Sequence, residues 1–169
     1  MAFLVETGAG LSGANAYLTL DEAQTYFDDR FITAWVGSDG QKQAAIIKAT
    51  DYLDATYRWR GTRLTSTQGL AWPRGGAVDS DGLTYASNAV PEAVKAACAE
   101  MALIALNNTL VTNVTGEDRV QRVKAGSVEV EYATGAKDAG TRYAWVDRLL
   151  SDVAMSGTGA LSRMTTRGW

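Results

Sequence analysis

Histidine is absent from this chain, and cysteine occurs once, at Cys98. Without an imidazole there is no Ser-His-Asp or Cys-His nucleophile system, no histidine-bearing zinc site and no histidine pH switch. A single thiol builds neither an intrachain disulfide framework nor a thiolate metal cluster. No run is apolar and long enough to cross a bilayer, and Met1-Ala-Phe-Leu-Val-Glu6 lacks the basic start of a secretion signal. Proline occurs only at Pro73 and Pro91, so each marks a position of interest. These absences predict a protein made in the cytoplasm, with no cofactor, no metal site and no membrane partner.

What is present fits one domain. The 169 residues are 46% hydrophobic, ordinary for a globular core. The net charge of -3 argues against a general DNA-coating protein. Charge is also unevenly placed. Through Tyr57 the acids Glu6, Asp21, Glu22, Asp28, Asp29, Asp39, Asp51 and Asp54 face only Arg30, Lys42 and Lys48. From Arg58 to Arg74 the sign reverses, with Arg58, Arg60, Arg63 and Arg74 and no acid. Such asymmetry suits subunits that meet acidic face to basic face, and equally an unevenly solvated surface.

Helices dominate the readable elements. Thr19-Leu-Asp-Glu22 is a capping-box pattern that opens a helix to about Arg30. Ser38-Asp-Gly-Gln41 repeats the signal for a helix ending near Tyr57 or Arg58, with Ala45, Ala49, Tyr52 and Leu53 at helical spacing. Pro91 suits the first position of a third helix reaching Asn107, apolar nearly all round and therefore central. Val120–Lys124 and Val128–Tyr132 flank Ala125-Gly-Ser127 and predict a β-hairpin. A last helix is expected from about Thr141 to Met155, followed by a Gly-rich hinge and a tail ending on Trp169. The fold class is mainly α: a small bundle of about four helices around a central apolar one, with one hairpin and an extended tail. Residues 1–156 form the domain and 157–169 the tail.

The segment Gln68-Gly-Leu-Ala-Trp-Pro-Arg-Gly-Gly76 reads as a stiff elbow. Pro73 fixes its own φ and restrains Trp72, while the glycines free the chain to turn. Such an elbow either presents Trp72, Pro73 and Arg74 to a partner or pins the loop to its own core through Trp72. In the tail, Leu161, Met164 and Trp169 are candidate docking anchors, with Arg163 and Arg167 as electrostatic guides.

Other signals are discounted. Gly8-Ala-Gly-Leu-Ser-Gly13 has dinucleotide-loop spacing, but no helix opens at Gly13 and no βαβ unit follows. The carboxylate pairs Asp28/Asp29 and Asp51/Asp54 read as solvated charge rather than an acid/base pair. Asp79-Ser-Asp-Gly82 starts like a calcium loop, lacks its later ligands and reads as a turn. A small carboxylate enzyme is therefore disfavoured. Tyr57-Arg-Trp-Arg60 with Arg63 and Trp72 is a real but unspecific nucleic-acid signal: aromatics stack bases and arginines grip phosphates. The same residue types are enriched at protein interfaces.

Three blocks, in this order and spacing, resemble the head-to-tail connector (adaptor) proteins of tailed bacteriophages and prophages. They are Val5–Thr19 leading into Glu22–Phe27; Ala49–Asp54 followed by Gly61 and the Gln68–Arg74 elbow; and Val90–Val94 followed by Ala97 and Glu100–Ala102. Relatives of this kind often carry the label DnaT-like single-stranded DNA-binding protein. The resemblance implies a non-enzymatic structural protein of the virion neck, synthesised in the bacterial host cytoplasm. Its subunits form a ring, commonly twelve-fold, beneath the portal, bind the stopper or tail-completion protein, and extend the channel for packaged double-stranded DNA. It further implies that the tail docks on the portal; if the hairpin lines the channel, Glu129 and Glu131 repel the DNA backbone. The alternative is a single-stranded DNA-binding replication accessory using Tyr57, Arg58, Trp59, Arg60 and Arg63.

Overall fold

In a computed structural model, the described residues are 2–110, 122–125, 128–131 and 143–155, with backbone alone described for 122–125 and 128–131. The chain divides into two compact units, one of Met1–Leu110 with Tyr143–Trp169, the other of Val111–Arg142.

Among its described residues the first unit holds four helices: α1 (Leu20–Asp28), α2 (Asp39–Thr56), α3 (Glu92–Asn107) and α4 (Ala144–Leu149). Both predicted capping boxes form. Thr19 and Glu22 satisfy each other's backbone N–H groups, as do Ser38 and Gln41. Pro91 serves as the N-cap of α3. α3 is the central helix: Val94, Ala97, Cys98, Ala99, Met101, Ala102 and Ala105 are all buried. It packs on the α2 face carrying Ala45, Ile46, Ala49, Thr50 and Leu53. Thr50 Oγ1 and Cys98 Sγ lie 3.4 Å apart across that contact. α1 adds Phe27 to the core and joins α3 by Tyr26 O–H to Glu100 at 2.8 Å and Lys95 to Glu22 at 2.6 Å.

α4 is shorter than the helix expected from Thr141 to Met155. After Leu149 the backbone leaves the helix to pair with a distant segment: Arg60 N–H donates to Val153 O, and Met155 N–H to Arg58 O. Single turn bonds persist, such as Ala154 N–H to Leu150 O at 2.8 Å, but these tertiary bonds take Met155 N–H and Val153 O out of any continued helix, so local apolar spacing overstates it.

A two-residue ladder, β1 (Thr62–Arg63) antiparallel to β2 (Arg74–Gly75), closes the loop that carries the elbow. In the second unit, β3 (Arg122–Ala125) pairs antiparallel with β4 (Val128–Glu131), in register Arg122↔Glu131 through Ala125↔Val128. This is the expected hairpin, with Ala125 inside its first strand.

Candidate functional site

The blocks that carry most of the sequence signal meet in one interior hub. Its base is Asp54, near the end of α2. One carboxylate oxygen accepts from Tyr17 O–H at 2.5 Å and the other from the Ala71 N–H at 2.8 Å. The Tyr17 oxygen in turn accepts from the Trp72 N–H at 3.2 Å. Burial pushes the Asp54 carboxyl up, against the opposing pull of its bonds from Tyr17 and Ala71. Burial, then the nearby Asp54 charge, raises the Tyr17 phenol well above its usual range. Asp54 is thus no solvated surface acid, contrary to the reading of its helix as exposed there; Asp51 is exposed.

The elbow is locked from within. Gln68 is buried; its amide N–H₂ donates to Leu70 O at 2.8 Å and Pro73 O at 3.1 Å, and its Oε1 accepts from Thr65 N–H. Arg74 spends its guanidinium on backbone carbonyls of Arg60 (2.7 Å), Gly61 (2.7 Å) and Ala71 (3.1 Å). Trp72 is 0% exposed and Pro73 is buried. The elbow therefore does not present Trp72 and Pro73 at a surface; it pins the loop to the core, and of the three residues only Arg74 keeps partial exposure.

The Gly8–Gly13 segment is a cradle for the chain's own carboxylate. Glu6 is buried, and its oxygens accept from the N–H groups of Gly8 (2.8 Å), Gly10 (2.9 Å) and Leu11 (2.9 Å). Gly8 has φ +98°, and a Cβ there would meet Asn88 O at 1.9 Å, so only glycine fits. Backbone donors of the kind that hold phosphate in nucleotide loops are filled here by Glu6. Glu6→Gln is expected to cost about 1–2 kcal/mol, because the amide N–H₂ must face at least one backbone N–H. Urea unfolding with an unchanged slope checks it.

The nucleic-acid candidates are equally internal. Tyr57 is 8% and Trp59 6% exposed. Tyr57, Trp59, Trp72 and Tyr85 form a chain of ring contacts, at 5.9, 6.1 and 6.3 Å between centroids. Arg60 donates to Ala154 O and Val78 O. Only Arg58 and Arg63 of this set are exposed. Arg163, Met164, Arg167 and Trp169 lie outside the described residues, as do the side chains of Glu129 and Glu131.

Other chemistry-bearing groups are likewise occupied. Asp79 Oδ1 accepts from Asp81 and Leu83 N–H, making the turn expected there. Cys98 is buried, which pushes its thiol up to about 12, far from a reactive thiolate. Among the described residues no three His, Cys, Asp or Glu side chains are grouped to hold a metal ion. A cleft of about 510 Å³ between α1 and α3 is lined by residues including Asp21, Glu22, Tyr26 and Lys95, and its charges pair across it through Lys95 and Glu22. Among the described residues no helix is long and apolar enough to cross a membrane.

A family profile described as "Putative DnaT-like ssDNA binding protein" matches residues 1–168. The chain belongs to that family. The description is of a binding protein, not of an enzyme, and DNA is the partner it suggests. Searches of curated proteins and of solved structures found no significant match.

Proposed function

We propose that this DnaT-like family member is a structural subunit of a tailed-bacteriophage neck, forming a ring beneath the portal that joins capsid to tail and extends the DNA channel. The three sequence blocks above support this reading. The observation that favours it over strand binding is the burial of Tyr57, Trp59 and Trp72. A base stacks only on an accessible ring face, and these rings are packed inside the core. In this reading the partners are further copies of the chain, the portal and a stopper or tail-completion protein. The tail residues Arg163, Met164, Arg167 and Trp169 dock on the portal, and Glu129 and Glu131 face the passing duplex.

The second reading, single-stranded DNA binding, is favoured by the family description. On this surface it would rest on the exposed arginines Arg58 and Arg63 as phosphate contacts.

The test is light scattering and negative-stain microscopy of the full chain with and without its cognate portal protein, beside titration of a labelled oligo-dT strand at physiological salt. A portal-bound ring, lost when residues 157–169 are deleted, is the expected result. Tight strand binding by a chain indifferent to portal would reverse the ranking.

A further inference from the structure

The connection between α1 and α2 breaks two local rules at one residue. Phe31 has φ 52°, alone among the described non-glycine residues in being positive, and its side chain is 93% exposed. α1 closes there with the paired bonds of a Schellman turn. Ile32 N–H donates to Phe27 O at 2.9 Å, and Phe31 N–H to Asp28 O at 3.0 Å. The left-handed position of that turn is usually glycine, because a Cβ is penalised there. Buried Phe27 and core-packed Ile32 supply the apolar support for the closure. At that exposure Phe31 buries little against the described residues, and sites where local rules are broken without internal gain are where function is expected. Val36, on the same connection, is 75% exposed. Asp28, Asp29 and Asp39 are the exposed acids of this end; Arg30 is exposed too, but its guanidinium is held back over the Tyr26 ring at 3.6 Å and donates to Tyr26 O at 2.9 Å.

A surface of opposite sign lies elsewhere on the same chain. No acid occurs between Arg58 and Arg74. The β1–β2 ladder and the Arg60 guanidinium bond to Val78 O join this stretch to residues 74–78, and the Val78↔Thr84 bridge closes the loop that follows. The joined segments expose Arg58, Arg63, Leu64, Val78 and Leu83, with Leu83 at 68%. Two acids sit at the border: Asp79, whose carboxylate is turned to its own loop, and Asp81, which is exposed at the tip of that loop, against Arg58 and Arg63 exposed on the ladder side.

We infer that the Phe31–Val36 tip of one copy docks on the Arg58–Leu83 face of a second copy. The tip brings an aromatic anchor flanked by acids; the face brings aliphatic side chains flanked by arginines. Two different patches make the contact heterologous, so it propagates head to tail and closes into a ring when the rotation allows. The inference rests on the ring reading and names its self-contact.

The test is sedimentation of the full chain over a concentration series, with two variants. Phe31→Gly removes the anchor and suits the left-handed backbone, so it melts no lower than the wild type while self-association weakens about 30-fold or more. Arg58→Glu with Leu64→Glu alters exposed side chains of the face and is expected to do the same. Each variant keeps the other's missing half, so mixing the two yields a dimer that grows no further. A Phe31→Gly chain that assembles as the wild type does overturns the contact and leaves the ring to some other surface. Variants that fail to pair on mixing overturn it likewise. A wild type monomeric at every concentration also overturns it, and the ring reading then stands or falls on the portal experiment.

Discussion

Trp72→Ala is expected to destabilise the helical unit by about 3–5 kcal/mol, the range for deleting a large aromatic from a packed core. Trp72 is 0% exposed and touches Trp59 and Tyr85 edge to face. Were it instead the exposed tip of an elbow, the same change would stay within about 0.5 kcal/mol. Thermal unfolding separates the two, since the larger loss lowers the melting temperature by roughly 10 °C or more. Trp72→Phe is expected to lose less. It keeps a ring in the site and removes an indole N–H that is buried without a hydrogen-bond partner among the described residues. The result bears directly on function. Loss of DNA binding on Trp72→Ala or Trp59→Ala would report loss of the core rather than loss of a stacking platform. Arg58→Ala with Arg63→Ala is the cleaner probe for strand binding, because both side chains are exposed.

Much of the fold is legible in the sequence because its signals are local. The two capping boxes need only residues three apart, and each forms as read. Pro91 and the apolar run behind it announce α3 in the same way. The misreadings share one cause, burial by segments distant in sequence. Asp54 sits on a helix face that looks solvated until the elbow, supplying the Ala71 and Trp72 N–H groups, covers it. Trp72 itself offered two fates, and Tyr17 and the Trp59 and Tyr85 rings decide for the core. Glu6 had a readable clue: an acid just ahead of Gly8 and Gly10, whose free backbone N–H groups can turn onto one carboxylate. Phe31 left a subtler one, the lack of glycine where a helix must end. The site is therefore harder to read than the fold. The residue types that advertise binding serve the interior, and the exposed anchor advertises only a broken helix-cap rule.

Asp54→Ala is expected to cost about 3 kcal/mol. The hub leaves two donors facing the vacated space, the Tyr17 O–H and the Ala71 N–H, and each buried group without a partner costs about 1–3 kcal/mol. Asp54→Asn should fall between this variant and the wild type. Its amide keeps one acceptor but sets a donor against the other N–H or O–H. The pH dependence gives a signature that simple packing loss does not. Burial raises the Asp54 pKa in the folded chain above its unfolded value, so the folded state holds this proton more tightly. The resulting stabilisation is complete below the unfolded carboxylate pKa and is lost as pH rises through the higher folded one. The gap between wild type and Asp54→Ala should therefore be widest in acid and narrow as pH rises across that window. Denaturant unfolding of both chains at stepped pH measures it. A gap that widened with pH would mean that Asp54 is held as a stabilised carboxylate, with its hydrogen bonds outweighing its burial.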